Sequence, residues 1–303
     1  MPILVDTASV ESFGPGVPGA SIHPGEVALG DITFGTTDEY GVEWVLSSLS
    51  GWSDSPGSTG SVEQRASNHG GWIGPAHLTP RVLEIKGTLL ASDWDGASRA
   101  LKRLTAAIPL SVPQDIYVND GYQVQQAKVR QEGDPLTERL EGWARFSLSL
   151  LAPDPRKYSA DLVTLETGLP STSGGLSLPL SLPLSISATV TSGILSATNE
   201  GNFGTRPTFV VHGPVDPFRI THRGQGRVIR FHEAIPAGRF VLIDTDKKTA
   251  LLDGTAARRI TGTWFEYEGI SPSNPSGLNE VSFSADSYDP AARLVSEHRH
   301  ADR

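Results

Sequence analysis

Two carboxylates set among aromatics, Glu266 and Glu268 in the run TWFEYEG, come nearest in this sequence to a catalytic spacing. Read as a strand, the run places both on one face, about 7 Å apart. Paired carboxylates beside aromatic rings are the equipment of a glycosidase, one acting as acid and the other as base or nucleophile. Trp264 and Tyr267, or Phe265 between them, could instead stack on a sugar without cleaving it. The same alternation also describes the solvent face of any half-buried strand, and nothing else supports hydrolysis. There is no G-x-S-x-G elbow, no H-E-x-x-H helix, no Walker loop and no kinase set.

Other polar clusters read as structural. His298 and His300 in SEHRHADR have a spacing that could hold a metal, but no third ligand is placed beside them, and a polar chain end is the simpler reading. Asp244, Asp246 and Asp253 in IDTDKKTALLDG suggest calcium until the EF-hand order is checked. Lys248 stands at the fifth position and no glycine follows it, which leaves a hairpin tip. The string GPGVPG, residues 14–19, matches G-x-G-x-x-G by letter. Its prolines oppose a helix opening there and no strand precedes it. Lys102 and Arg103 read as the solvated face of a helix. The expectation is a chain with no catalytic, cofactor or metal residues, which favours a structural or binding role over catalysis.

The composition narrows the class further. With 38% apolar and 19% charged residues over 303 positions, the chain can fold, and 32 glycines with 22 prolines favour short strands and turns. A net charge of -9 gives no basic footprint for specific nucleic-acid binding. The absence of cysteine excludes disulfides, thiol catalysis and cysteine-held zinc. The opening residues do not form a secretory signal. No run of about 18 apolar residues predicts membrane insertion.

The elements that would position these residues are mostly strands, and the expected class is mainly β. Residues 1–158 read as an α+β domain with one helix packed on a sheet. The strand VEWVLSSLS is followed by a Gly/Ser/Asp loop of about 20 residues, a length that is usually either functional or disordered until a partner orders it, and then the strand PRVLEIKGTLLA. The helix spans about 92–108, with Ser92 as N-cap, Trp94, Ala97, Leu101, Leu104 and Ile108 on its apolar face, and Pro109 as the stop. A hairpin turning at Asn119-Asp120-Gly121 follows. A strand with Phe146, Leu148 and Leu150 on one face comes next and is closed by Pro153 and Pro155. Residues 190–303 hold short strands separated by Gly and Asp turns, the rhythm of a β-sandwich.

Between them, 159–189 reads as an extended connecting arm containing GGLSLPLSLPLSIS. Leu176, Leu178, Leu180, Leu182, Leu184 and Ile186 share one parity and therefore one face. Pro179 and Pro183 share the other, so one lateral edge lacks donors. Such a segment pairs on one side only and offers its aliphatic face to a neighbouring domain or subunit over roughly 45 Å.

The order of these segments resembles the distal tail proteins of long-tailed bacteriophages, especially actinophages. YGVEWVLSSLSGW, HGGWIGPAHLTPRVLEIKGTLLA, the helix from Trp94 and LLAPDPRKYS resemble the family's N-terminal domain. LSLPLSLPLS resembles its connecting segment. TNEGNFGTRPTFVVHGPVDPFRI, FVLIDTDKKTALLDG and GLNEVSFSAD are similar to its C-terminal sandwich, with Ser276-Gly277-Leu278-Asn279 where relatives carry Pro-Gly-x-Asn. The resemblance implies a galectin-like C-terminal domain and a virion structural protein, not an enzyme. It further implies a homohexameric ring at the tail tip, assembled in the host cytoplasm, with a channel for DNA. Tail tube protein, tail-hub or fibre protein and tape measure protein are its implied partners. An acidic channel wall would let DNA pass without retention. The alternative expectation is a carbohydrate-binding tail protein that attaches the particle to its host through Trp264 and Tyr267.

Overall fold

The computed structural model describes residues 22–173 and 189–303, and the chain divides into two compact units, the first running to Asp161 and the second from Leu162 to Asp302. In the first unit the strands are β1 (Val27–Leu29), β2 (Ile32–Phe34), β3 (Glu43–Ser50), β4 (Ser58–Gln64), β5 (Gly71–Leu78) and β6 (Arg81–Leu90). Helix α1 (Trp94–Ala107) follows, then β7 (Gln114–Asn119), β8 (Val124–Gln131), β9 (Leu136–Leu140), β10 (Trp143–Ala152) and β11 (Lys157–Ser159). The main sheet runs β2-β1-β7-β8-β10-β6-β3, with β9 added to β10 and β11 to β8.

Alternation explains which face closes. On β6, Leu83, Ile85 and Leu89 are buried, and on β10 Ala144, Phe146, Leu148 and Leu150 face the same core. Helix α1 covers this face with Ala97, Ala100 and Leu104. Phe34, Trp44 and Phe146 meet there with ring centroids 5.4 to 6.2 Å apart. Each fully buried side chain of this size contributes roughly 1.5–3 kcal/mol.

Three details of the helix differ from the sequence expectation. Asp93, not Ser92, is the N-cap and accepts from the Gly96 amide at 2.6 Å. Trp94 lies outside the core with the Arg139 guanidinium 3.5 Å from its ring centroid. Arg103 is not on a solvated face either. It donates to Asp38 at 2.7 Å, and Asp38 also accepts from the Trp44 indole and the Tyr40 and Val42 amides. Burial pushes the Asp38 carboxyl up, but these donors together hold it below its ordinary value.

The expected long loop is a hairpin. Among the described residues β4 and β5 pair only with each other, in the register Val62↔Ile73 and Glu63↔Trp72. Gly51 starts the excursion at φ +80°, where a Cβ would lie 2.0 Å from the Val82 carbonyl oxygen. The buried guanidinium of Arg81 ties down the return, donating to the carbonyls of Gly51, Trp52, Asp54 and Pro155 at 2.6 to 3.1 Å.

The second unit contains β12 (Val163–Gly168), β13 (Ser171–Ser173), β14 (Thr189–Thr191), β15 (Ile194–Thr198), β16 (Thr208–His212), β17 (Phe218–His222) and β18 (Arg227–Phe231). Then come β19 (Phe240–Asp244), β20 (Thr249–Leu252), β21 (Ala256–Ala257), β22 (Ile260–Gly262), β23 (Leu278–Ala285) and β24 (Arg293–His298). One sheet runs β12-β24-β16-β19-β20-β21 and the other β15-β23-β17-β18-β22. Phe209, Val241 and Leu294 from the first meet Phe218, Phe231 and Phe283 from the second in one core, the two-sheet sandwich expected. Residues 163–168, assigned by sequence to the connecting arm, are an edge strand of this sandwich, paired with β24. β13 and β14 pair with each other, Ser171 opposite Thr191.

Candidate functional site

The carboxylates of TWFEYEG are occupied by structural contacts. The run beyond Gly262 is irregular rather than a strand, with a single bridge from Tyr267 to Thr205. Parity still sorts it: Phe265 and Tyr267 are buried, while Trp264, Glu266 and Glu268 point outward. Glu266 accepts from Arg206 Nε at 3.0 Å, and Glu268 accepts from the Gln225 amide at 3.1 Å. Neither carboxyl is held in the unpaired apolar setting that makes a general acid.

Tyr267 cannot stack on a sugar. It is fully buried, its hydroxyl hydrogen-bonds Ser296 Oγ at 2.7 Å, and burial pushes the phenol far above its ordinary pKa. Its ring instead belongs to the core, edge-on to Phe209 and His298. Trp264 is half-buried and lines a cleft of about 340 Å3 with Arg206, Arg227, Asp246, Lys248 and Glu266.

The histidine pair is integral to the sandwich, not a loose terminus. His298 is buried on β24, its Nε2 3.0 Å from the Thr198 carbonyl and its ring 5.9 Å from that of His300. Burial holds its pKa down, the Thr198 carbonyl works against that, and His300 adds to the lowering. Asp244 accepts from the amides of Asp246 and Lys247 and so caps the β19–β20 turn, while Asp253 accepts from Arg239 and the Phe240 amide. Among the described residues no cluster of three or more His, Cys, Asp or Glu side chains could hold a metal. Residues 14–19, the face of Leu176, Leu178, Leu180, Leu182, Leu184 and Ile186, and the prolines between them lie outside the described residues.

The feature that sequence reading missed is a difference in surface. Among the described residues, thirteen exposed large apolar side chains belong to the first unit and three, Ile270, Leu278 and Tyr288, to the second. The largest concentration is on the β4–β5 hairpin, where Val62, Trp72 and Ile73 are 70, 65 and 85% exposed. Val62 and Ile73 are cross-strand partners and share one face; Trp72, opposite Glu63, lies on the other under the Arg65 guanidinium, 4.6 Å from its ring centroid. Elsewhere on the unit, the face of β3, β6, β9 and β10 that carries Lys86, Thr88, Leu136, Glu138, Arg145 and Ser147 forms a shallow groove of about 490 Å3. Alternation within VEQ and GGWIGPA was the available signal, but the glycines and serines around it read as loop.

No protein-family model matches the sequence, and no curated protein matches it. One solved structure shares its fold, and another is reported beside it. The SPP1 Dit (gp 19.1) protein, described as a paradigm of the hub adsorption apparatus in phages infecting Gram-positive hosts, aligns with a TM-score of 0.58 at 12% identity, over 84% of this chain and 92% of that one. A chain of the phage P2 baseplate, in its activated conformation with Ca, aligns at 0.45 and 11% identity over 91% of this chain and 98% of that one. The mainly-β architecture expected from the resemblance to distal tail proteins is the architecture found, shared along most of the chain with a phage Dit protein.

Proposed function

We propose that this chain is a structural virion protein of the distal end of a phage tail. In this reading copies of it form a ring, a homohexamer, that joins the tail tube to the tail-tip hub or fibre and leaves a channel for DNA. The observation that carries the proposal is the fold shared with SPP1 Dit over 84% of this chain and 92% of that one. Two features support it. The first unit carries most of the exposed apolar surface, as a ring-forming domain must. The residues with catalytic or metal-binding spacing are engaged in turns, caps and core contacts. The protein would be assembled in the host cytoplasm and end at the tail tip, with tail tube, hub or fibre and tape measure proteins as neighbours. Negative-stain electron microscopy of the purified full chain tests this: a six-fold ring with a central hole is the expected image, and a uniform field of monomers overturns it.

A second reading, glycan attachment through the second unit, keeps one specific support after the loss of Tyr267. Trp264 stands half-buried beside Arg206 and Glu266, and an aromatic face flanked by a charged pair suits a sugar ring. A glycan array probed with the full chain and its Trp264→Ala variant tests it; equal signal from both excludes this cleft.

A further inference from the structure

We propose that the cleft at the β19–β20 turn of the second unit binds an anionic glycan, with a phosphate or carboxylate group at Lys248 and Arg227 and a sugar ring on Trp264. The inference rests on the glycan reading above and names the chemical class of its ligand.

Three parts of the sandwich meet at this cleft. The β19–β20 turn of one sheet supplies Asp246 and Lys248, and the first residue of β18 in the other sheet supplies Arg227. The run after β22 supplies Trp264 and Glu266. Both sheets therefore hold its walls. Trp264 packs partly against the core and partly lines the cleft, and its neighbour Phe265 is fully buried.

The charges of the cleft divide into a committed set and a free one. Arg206 holds both carboxylates: it is paired with Asp246, and its Nε donates to Glu266 at 3.0 Å. Arg227 and Lys248 have no carboxylate partner among the described residues. Arg227 donates to the Trp264 carbonyl at 3.0 Å, which ties its guanidinium to the segment that carries the indole. Two uncommitted cations in one concave site attract an anion, even in a chain whose net charge is -9.

Lys248 stands there against the preference of its own backbone. Its φ is +56°, in the left-handed region that favours glycine. Asp244 closes the turn by accepting from the Asp246 and Lys247 amides, without the Lys248 side chain. Neither the backbone nor the turn accounts for a lysine at that position.

A small inorganic anion would need neither the indole nor the space beyond it. A second cleft of about 620 Å3 adjoins the first, shares Arg227 and Glu266 with it, and is lined also by Glu268, Ser271 and Ser273. The groove thus runs from a cationic end at the turn, past an indole, to an end rich in hydroxyl and carboxylate acceptors. A sugar chain with an acidic substituent has the matching order: an anion, a ring face that stacks on an aromatic, and hydroxyls that donate.

The test applies the full chain to matched oligosaccharides in neutral, uronate-bearing and phosphate-bearing forms. Binding to a charged form is expected, weakening as salt rises and falling by about tenfold or more in the double variant Lys248→Gln with Arg227→Gln. Signal confined to the phosphate-bearing or to the uronate-bearing form supports the proposal and identifies the anion. Equal signal on neutral and charged forms, lost only in Trp264→Ala, overturns the anion site and leaves the glycan reading standing. Charged-form binding undiminished in both variants places the glycan outside this cleft and overturns the proposal. No signal from the unaltered chain on any form overturns both together. Lys248→Gly separates binding from folding. Glycine suits the left-handed backbone, so the second unit's thermal midpoint should hold or rise while charged-form binding falls. Full binding by that variant removes Lys248 from the site.

Discussion

The two β units dispose of their apolar residues in opposite ways. The second unit closes two sheets on each other and gathers Phe209, Phe218, Phe231, Phe265, Tyr267 and Phe283 between them. The first covers one face of its sheet with α1 and leaves Val45, Val82, Leu90 and the hairpin residues exposed. Burial of apolar surface stabilises whichever partner supplies it, so the second unit buries its large apolar residues within the chain, whereas the first leaves apolar side chains that association would cover.

Four measurements would break or sharpen that contrast. The largest effect belongs to Tyr267→Ala, which removes a fully buried ring and leaves Ser296 Oγ without its partner. It should cost about 4 kcal/mol, read as a lowered denaturant midpoint of the second unit's transition alone. Movement of both transitions together would show that the units do not unfold independently.

Next is Arg81→Met, which strips the donor from four main-chain carbonyls at the hairpin's root. A loss of about 3 kcal/mol is expected in the first unit, with new proteolytic cuts between residues 52 and 80. A shift without those cuts would detach the hairpin from Arg81.

Acid should separate the units by mechanism. The folded pKa of His298 lies below its unfolded value of about 6.5, so the stability it contributes is present above that pH and is lost as pH falls through the folded value. His212, held down by burial and by Arg293 with Glu166 opposing, acts in the same direction, while burial of Glu297 acts against it. Asp38 in the first unit is also depressed, and its contribution is lost as pH falls below about 3.9 through its folded value. Thermal scans from pH 7 to 3 should show the second unit weakening first, and His298→Gln should flatten that early decline. An unchanged decline in the variant would assign it to other groups.

The smallest effect is at the α1 cap. Asp93→Ala should lower the first unit's stability by about 1 kcal/mol, seen as a shift in its thermal midpoint, whereas Ser92→Ala should leave it nearly unchanged.

These same residues show what the sequence carried and what it concealed. Alternation made β6 and β10 legible, and the turn residues of Asn119-Asp120-Gly121 marked the β7–β8 hairpin, because both signals are local. Trp94 misled because helical spacing does not say whether a ring meets the core or an arginine, and here it meets Arg139. Tyr267 misled for a related reason: alternation assigned it a face, but only the opposing sheet determined that the face was buried. Arg103 and Asp38 lie 65 positions apart, beyond any local pattern. The β4–β5 hairpin was hidden by its own glycines, whose composition is that of a loop while their register is that of a ladder.

The pairing of β13 with β14 has a consequence for how this chain can vary. Because Ser171 lies opposite Thr191 and Ser173 opposite Thr189, the end of β13 and the start of β14 are neighbours. Where two strand ends already meet, doubling the length of chain that joins them costs only about 0.6 kcal/mol, so an insertion between 173 and 189 is expected to leave the thermal midpoint of the second unit nearly unmoved.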